Sequence, residues 1–283
     1  MEKIPSIKEI KCERALSPTG ISSIAPYVIN PYRGCSFGCR YCYSQKNKCF
    51  QKNKKNWGDF VEVKVNSPLV LREELKKIKP EKVLIGSTTE VYQRVEEKYL
   101  LTRRIVEILN EFKIPIILLT KSSLIVRDID ILYNAKICFT INLHTDHLIR
   151  IFEKDSPGIE ERLNTIKKLK ESKINTYVHA GPVLPGFTDP EKIMEMVYGQ
   201  TERINFEGFN FWMSPDQVVE RYFGGNDIFE NEDKYNWHLE NTKNLINETN
   251  KRYNYKINFF FQPYKTYWQS RDIMTQQSSS GKP

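Results

Sequence analysis

A chain of 283 residues, 40% hydrophobic and 28% charged, has enough apolar surface for one sizeable folded domain, which excludes wholesale disorder. No apolar stretch approaches the length of a membrane span and the charged N-terminus lacks a secretory apolar core, so a cytoplasmic protein is expected. The net charge of +8 is partly local, because Lys46, Lys48, Lys52, Lys54 and Lys55 share one acid-free segment; six cysteines are too sparse for a disulfide scaffold.

Residues 1–26 show no clear period and are expected to form an irregular lead-in. Tyr27 to Asn30 is a short apolar run closed by Pro31 and Gly34, as a strand ending in a loop would be. Ser67-Pro68 followed by Glu73 and Glu74 predicts a helix start, and Lys82 to Gly86 a buried strand. Leu100, Leu101, Ile105, Ile108 and Leu109 share one face of a helix expected over Glu96 to Phe112. Strand then alternates with helix. Ile114 to Leu119 is strand, Asp128 to Tyr133 helix, Ile137 to Leu143 strand, Gly158 to Lys170 helix and Asn175 to His179 strand. Pro190 to Tyr198 is helix, Phe206 to Trp212 strand, Tyr235 to Lys251 helix, and Ile257 to Phe261 strand-like. Residues 276–283 are polar and expected to be a flexible tail.

Strands separated by single helices require parallel pairing with helical crossovers. Six such units between Tyr27 and Trp212 are too few for a closed eight-stranded barrel, so the expectation is an open or partial β/α barrel in one domain. Residues 27–213 form its core and 214–275 a C-terminal α/β extension packed on it. In such folds the chemistry gathers at the C-terminal ends of the strands.

Cys35, Cys39 and Cys42 place three thiols within eight residues. Structural zinc takes four ligands, and ferredoxin-type clusters usually receive four cysteines, so three leave one position open. Gly34 and Gly38 let the backbone bend tightly there. Two other readings stay open: a zinc site completed by a distant residue such as His144, or three unrelated core thiols. Cys12, Cys49 and Cys138 show no ligand spacing, and Cys138 reads as a small core residue.

The run from Asn30 to Tyr43 resembles the signature of radical S-adenosylmethionine (SAM) enzymes, more narrowly the spore photoproduct lyase-like branch. The resemblance continues through Gly86 to Gln93, Leu118 to Ser122, Arg127 to Leu132, Arg162-Leu163 and Gly181 to Gly186. It implies a partial (β/α)6 barrel of the TIM-like radical SAM type. It also implies a 4Fe-4S iron-sulfur cluster held by Cys35, Cys39 and Cys42, with SAM on the open iron. Reductive cleavage of SAM then gives a 5′-deoxyadenosyl radical that takes hydrogen from a substrate, with a flavodoxin or ferredoxin as electron donor.

By the same resemblance Tyr41 packs near the adenine, and Ser87, Thr89 and Glu90 accept from the methionine amine, although Ser and Thr equally suit a helix cap. Lys121 is expected to pair with the methionine carboxylate. Asn142 and His144 stand where the ribose is contacted, His144 reading equally as a structural histidine. Glu153 and Arg162 resemble a family pair, which a structural salt bridge explains as well. Photoproduct lyases carry a cysteine hydrogen donor near the position of Ser87; a serine O–H is too strong a bond for that role, so DNA photoproduct repair is not assigned. Tyr264 and Tyr267 read as radical relays or, better, as aromatic packing.

The segment Lys46 to Lys55, with Phe50 and Trp57, suits a solvated loop or a nucleic-acid contact; a peptide or a small metabolite remains an alternative substrate. The competing reading of the whole chain is a basic nucleic-acid-binding protein with a structural metal in the three-cysteine loop.

Overall fold

The computed structural model describes residues 5–19, 24–47, 56–209, 221–223, 228 and 231–261. Eleven strands fall into two sheets. The large sheet is built from β2 (Ser17–Pro18), β3 (Tyr27–Ile29), β6 (Val83–Ile85), β7 (Ile116–Thr120), β8 (Ala135–Thr140), β9 (Asn175–Val183), β10 (Arg203–Gly208) and β11 (Lys256–Phe260), side by side in chain order. All its neighbours pair parallel except β2 with β3. The six expected strands are present, the seventh being β11 from the C-terminal extension. Among the described residues β2 and β11 are the edges and no pairing closes the sheet, so it is an open β/α barrel.

Helices α1 (Ser67–Leu75), α2 (Glu96–Tyr99), α3 (Leu101–Glu111), α4 (Asp146–Phe152), α5 (Ile159–Glu171), α6 (Pro190–Met196) and α7 (Glu232–Tyr253) complete the layer, with a 3₁₀ stretch over Ser123–Asn134. The principal core lies between strands and helices, where Ile137, Phe139, Val178, Ile204 and Phe206 meet Ile105, Ile166, Leu169, Ile193 and Met194. Burying these side chains is the main favourable term in the fold.

Three differences from the sequence reading have local causes. The lead-in expected to be irregular contains β1 (Ser6–Ile10), which pairs parallel with β5 (Phe60–Lys64); β4 (Tyr32–Arg33) pairs antiparallel on the other side of β5. Four of the five residues of β1 are exposed and Ile10 is half-buried, so no apolar alternation marks it. The helix expected over Glu96 to Phe112 is broken at Leu100, which is left-handed at φ 53°. There the buried Glu96 carboxylate accepts from the backbone N–H groups of Thr102 and Arg103 at 3.0 and 3.3 Å, capping α3 from its side. Finally, α4 was not foreseen; Thr145 caps it by accepting from Leu148 N at 3.3 Å. Tyr264, Tyr267, residues 48–55 and the tail lie outside the described residues.

A three-thiol loop and its charged cage

The thiol loop follows β4 of the small sheet and meets the segments just past the C-terminal ends of β6 and β7. Gly34 begins it at φ +82°, and a Cβ there would stand 2.4 Å from the Phe60 carbonyl oxygen. This glycine is required by the close passage of β5, a nearer cause than the curvature of the loop. The loop is pinned from β6 and its following turn: Thr89 Oγ1 donates to the Gly34 carbonyl at 2.6 Å, and Gln93 Oε1 accepts from Ser36 N at 2.8 Å. Arg40 N donates to Phe152 O at 2.8 Å, which ties the loop to the end of α4. Cys35, Phe37, Cys39 and Tyr41 pack with Leu143, Ile149, Phe152 and Leu184.

That apolar setting governs the thiols. Burial pushes Cys39 up to about 12, raises Cys35 well above the ordinary thiol range and raises Cys42 as well. Thiolates therefore form here only against compensating positive charge. The protein supplies some of it. The Lys121 ammonium lies 3.7 Å from Cys39 Sγ, and also donates to Glu153 Oε1 at 2.6 Å and to the Tyr41 hydroxyl at 2.8 Å. Tyr41 donates to Glu153, whose second carboxylate oxygen accepts from Arg162 and, at 2.9 Å, from Ser156 Oγ. Glu153 and Arg162 are fully buried. With both cations beside it, the Glu153 carboxyl is held well below the usual range in spite of burial, while Lys121 and Arg162 are pushed up. One carboxylate against two cations leaves the cage net positive, and Arg162 Nη1 is buried with no partner among the described residues.

The sequence-predicted residues divide accordingly. Tyr41 joins the cage, and Asn142 Oδ1 lies 3.4 Å from its hydroxyl. Lys121, expected at a methionine carboxylate, instead has its three donors on Glu153, Tyr41 and Cys39. Thr89 is committed to Gly34 and to Gln93. Glu90 accepts from Tyr92 N, Thr120 Oγ1 and Lys121 N at 2.9, 2.6 and 3.0 Å, bracing the ends of β6 and β7 against each other. Ser87 remains at the mouth, its Oγ accepting from Asn30 Nδ2 at 3.2 Å. His144 lies just past β8, and its Nδ1 is buried with no partner among the described residues. Asn30, Gln93 and Tyr43 lie within the motif runs, but the sequence assigns them no role. Tyr43 donates to the Ser87 carbonyl at 2.5 Å; nothing in local spacing marks any of the three. Cys138 is buried in β8, as expected.

Three cysteines on one loop beside a net positive cage are a donor set suited to an anionic iron-sulfur cluster. Residues 29–197 match the Radical SAM superfamily model. The chain belongs to the radical SAM superfamily. It is therefore an enzyme, and the binding-protein reading falls away.

An uncharacterized protein of Methanocaldococcus jannaschii is 31% identical over 250 residues, 86% of this chain and 94% of its own. An uncharacterized protein of Mycobacterium tuberculosis is 31% identical over 205 residues, 68% of this chain and 60% of the mycobacterial one. Among solved structures, spore photoproduct lyase complexed with dinucleoside spore photoproduct matches with a TM-score of 0.64 at 14% identity, over 89% of this chain and 82% of that one. Streptococcus suis SuiB matches at 0.54 and 12% identity, over 92% of this radical SAM chain and 50% of its own. Both of these are likenesses of fold. No helix among the described residues is long and apolar enough to cross a membrane.

Proposed function

We propose that Cys35, Cys39 and Cys42 hold a 4Fe-4S cluster and that the chain cleaves SAM reductively to start radical chemistry on a bound substrate. The observation that carries this reading is the three-thiol loop held against a net positive buried cage. When bound, the cluster and SAM supply the electron transfer and the 5′-deoxyadenosyl radical; the chain binds, orients and excludes water. Lys121 and Arg162 offset the negative charge of three thiolates. Glu153 keeps both cations in place, and Tyr41 fills the space between Glu153 and Asn142. Ser87, Asn142 and His144, just past the ends of β6 and β8, are proposed as SAM-contacting residues; the unpartnered Nδ1 of His144 supports that role.

The electron donor is proposed to be a flavodoxin or ferredoxin, and the setting the cytoplasm. A nucleic-acid contact through Lys46 to Lys55 would weaken steeply with salt. A serine at position 87, with its hydroxyl hydrogen-bonded to Asn30, sets the chain apart from thymine photoproduct repair: ultraviolet-damaged spore-type DNA is not expected to return thymine under reducing conditions with SAM.

The test is anaerobic reconstitution followed by dithionite and SAM. The loaded protein is expected to release 5′-deoxyadenosine and methionine, and Cys39→Ala to lose most of its iron and all of this activity. A cluster-loaded chain that leaves SAM intact overturns the reading.

A further inference from the structure

The opposite end of the barrel carries a second concentration of charge, and here it is uncompensated. An open cavity of about 500 Å³ lies at the N-terminal ends of β8, β9, β10 and β11, a size within the ordinary range of small-molecule sites. Its lining includes Lys136, Lys170, Arg203 and Lys256 against a single carboxylate, Glu202. The sheet register staggers these cations: Lys136 opposes Asn175, whereas Arg203 and Lys256 oppose each other two residues further along, beside Ile204, which opposes Val178.

Three arginines elsewhere show the contrast. Arg103 meets Asp128 and Asp130, Arg127 meets Glu96 and Asp128, and Arg162 meets Glu153. Lys136 and Arg203, both half-buried, have no carboxylate within ion-pair distance among the described residues. Lys136 rests over the Tyr177 ring at 5.3 Å, and Lys170 bonds the Gly199 carbonyl at 2.5 Å. Glu202 is only 3.8 Å from Lys256, and both side chains are largely in water. Burial and the neighbouring charges of Arg203 and Lys82 push the Lys136 ammonium below its ordinary pKa, the reverse of what a salt bridge does. Like charges gathered at one concave site, with Glu202 the one carboxylate in its lining, favour the entry of an anion.

We propose that this cavity is a binding site for a small molecule bearing a diphosphate, at the end of the barrel remote from the thiol loop. Phosphate oxygens are the acceptors that lysine and arginine donors fit. Neighbouring strands lie about 4.8 Å apart and Arg203 stands two residues beyond Lys136, so their backbones are about 12 Å apart, a span that long cationic side chains close onto two phosphates more readily than onto one. The site is concave and confined to a few strand ends, which favours a small molecule over the phosphate backbone of a nucleic acid, whose contacts run along an extended track.

The experiment is calorimetric titration of the cluster-loaded protein with inorganic pyrophosphate. It is run anaerobically at constant ionic strength, with the cluster absorbance followed throughout to show that no iron is withdrawn. One site is expected, weakened about tenfold or more in Lys136→Gln/Arg203→Gln and retained in Lys136→Arg. Circular dichroism and iron content of each variant confirm that it is folded. Lys52→Gln/Lys54→Gln/Lys55→Gln is expected to keep full pyrophosphate affinity. Undiminished affinity in the Lys136/Arg203 variant overturns the proposal, as does loss of affinity in the loop variant. Binding of a single-stranded oligonucleotide through Lys136 and Arg203 without binding of pyrophosphate overturns it in favour of a nucleic-acid surface.

Discussion

Two buried carboxylates, Glu96 and Glu153, each sit between a tyrosine and an arginine, yet they serve different ends. Glu96 accepts from Tyr32, from Arg127 and from the backbone at the start of α3. Glu153 accepts from Tyr41, from Arg162 and from Lys121. The first triad closes on itself: Arg127 turns to Asp128, Arg103 bridges Asp128 to Asp130, and no member reaches a thiol. The second has one cation more than its carboxylate needs, and that cation touches Cys39. An identical Tyr–Glu–Arg arrangement is thus scaffold in one place and part of the site in the other. What decides is the sign of the residual charge and what it faces.

Breaking each triad in turn separates the two roles. Glu153→Gln leaves two buried cations unpaired, and the loss expected is about 3–5 kcal/mol of unfolding free energy together with weaker iron retention. Denaturant titration and iron analysis check both; a cluster-loaded variant of native stability would mean the cage is ornamental. Glu96→Gln keeps the shape but loses the charge that Arg127 and the α3 amides face. A cost of about 1–3 kcal/mol is expected, with the yield of 5′-deoxyadenosine per cluster unchanged, and altered yield would erase the distinction between the triads.

Lys121→Met should keep the cluster but remove a cation beside Cys39, making reduction harder by tens of millivolts in a redox titration. An unchanged potential would show that Arg162 alone sets the local field. The smallest effect is in acid. Glu153, held below its unfolded value of about 4.3, gives stability that is complete above about pH 5 and is lost as the pH falls, because the unfolded chain takes up the proton first. Burial raises Glu96, so the folded state takes up its proton first and acid relieves a cost there. The acid limb of the stability curve should therefore flatten in Glu153→Gln and steepen in Glu96→Gln.

Much of this was written locally in the chain. Single helices between short apolar strands gave the parallel order from β3 to β10, and the cysteine spacing located the loop. What apolar periodicity could not carry was anything without a buried face or resting on one polar contact: β1 has no buried face to betray it, and the break at Leu100 depends on Glu96 folding back onto α3. Thr89, Glu90 and Lys121 are legible as motif members, but their protein partners are not. Their polar atoms turn inward because Gly34, the β7 end and Glu153 are nearer partners, a fact fixed only when β6, β7 and α4 assemble. Arg162 illustrates the same limit, being an arginine on a helix that charge pattern alone would place in water.

The strand order of the large sheet has a consequence for biosynthesis. Because neighbours in space are neighbours in sequence, each β/α unit can dock on the one made just before it as the chain emerges, without waiting for distant partners. The thiol loop is the exception. Cys35, Cys39 and Cys42 leave the ribosome early, whereas Glu153 and Arg162 follow only after β8 has been added. Until then the three sulfurs lack their cage and stand open to oxidants and adventitious metals. The proposed cluster would find its complete cage only after α5 has formed, so a late delivery, to a nearly complete barrel, suits this order of synthesis.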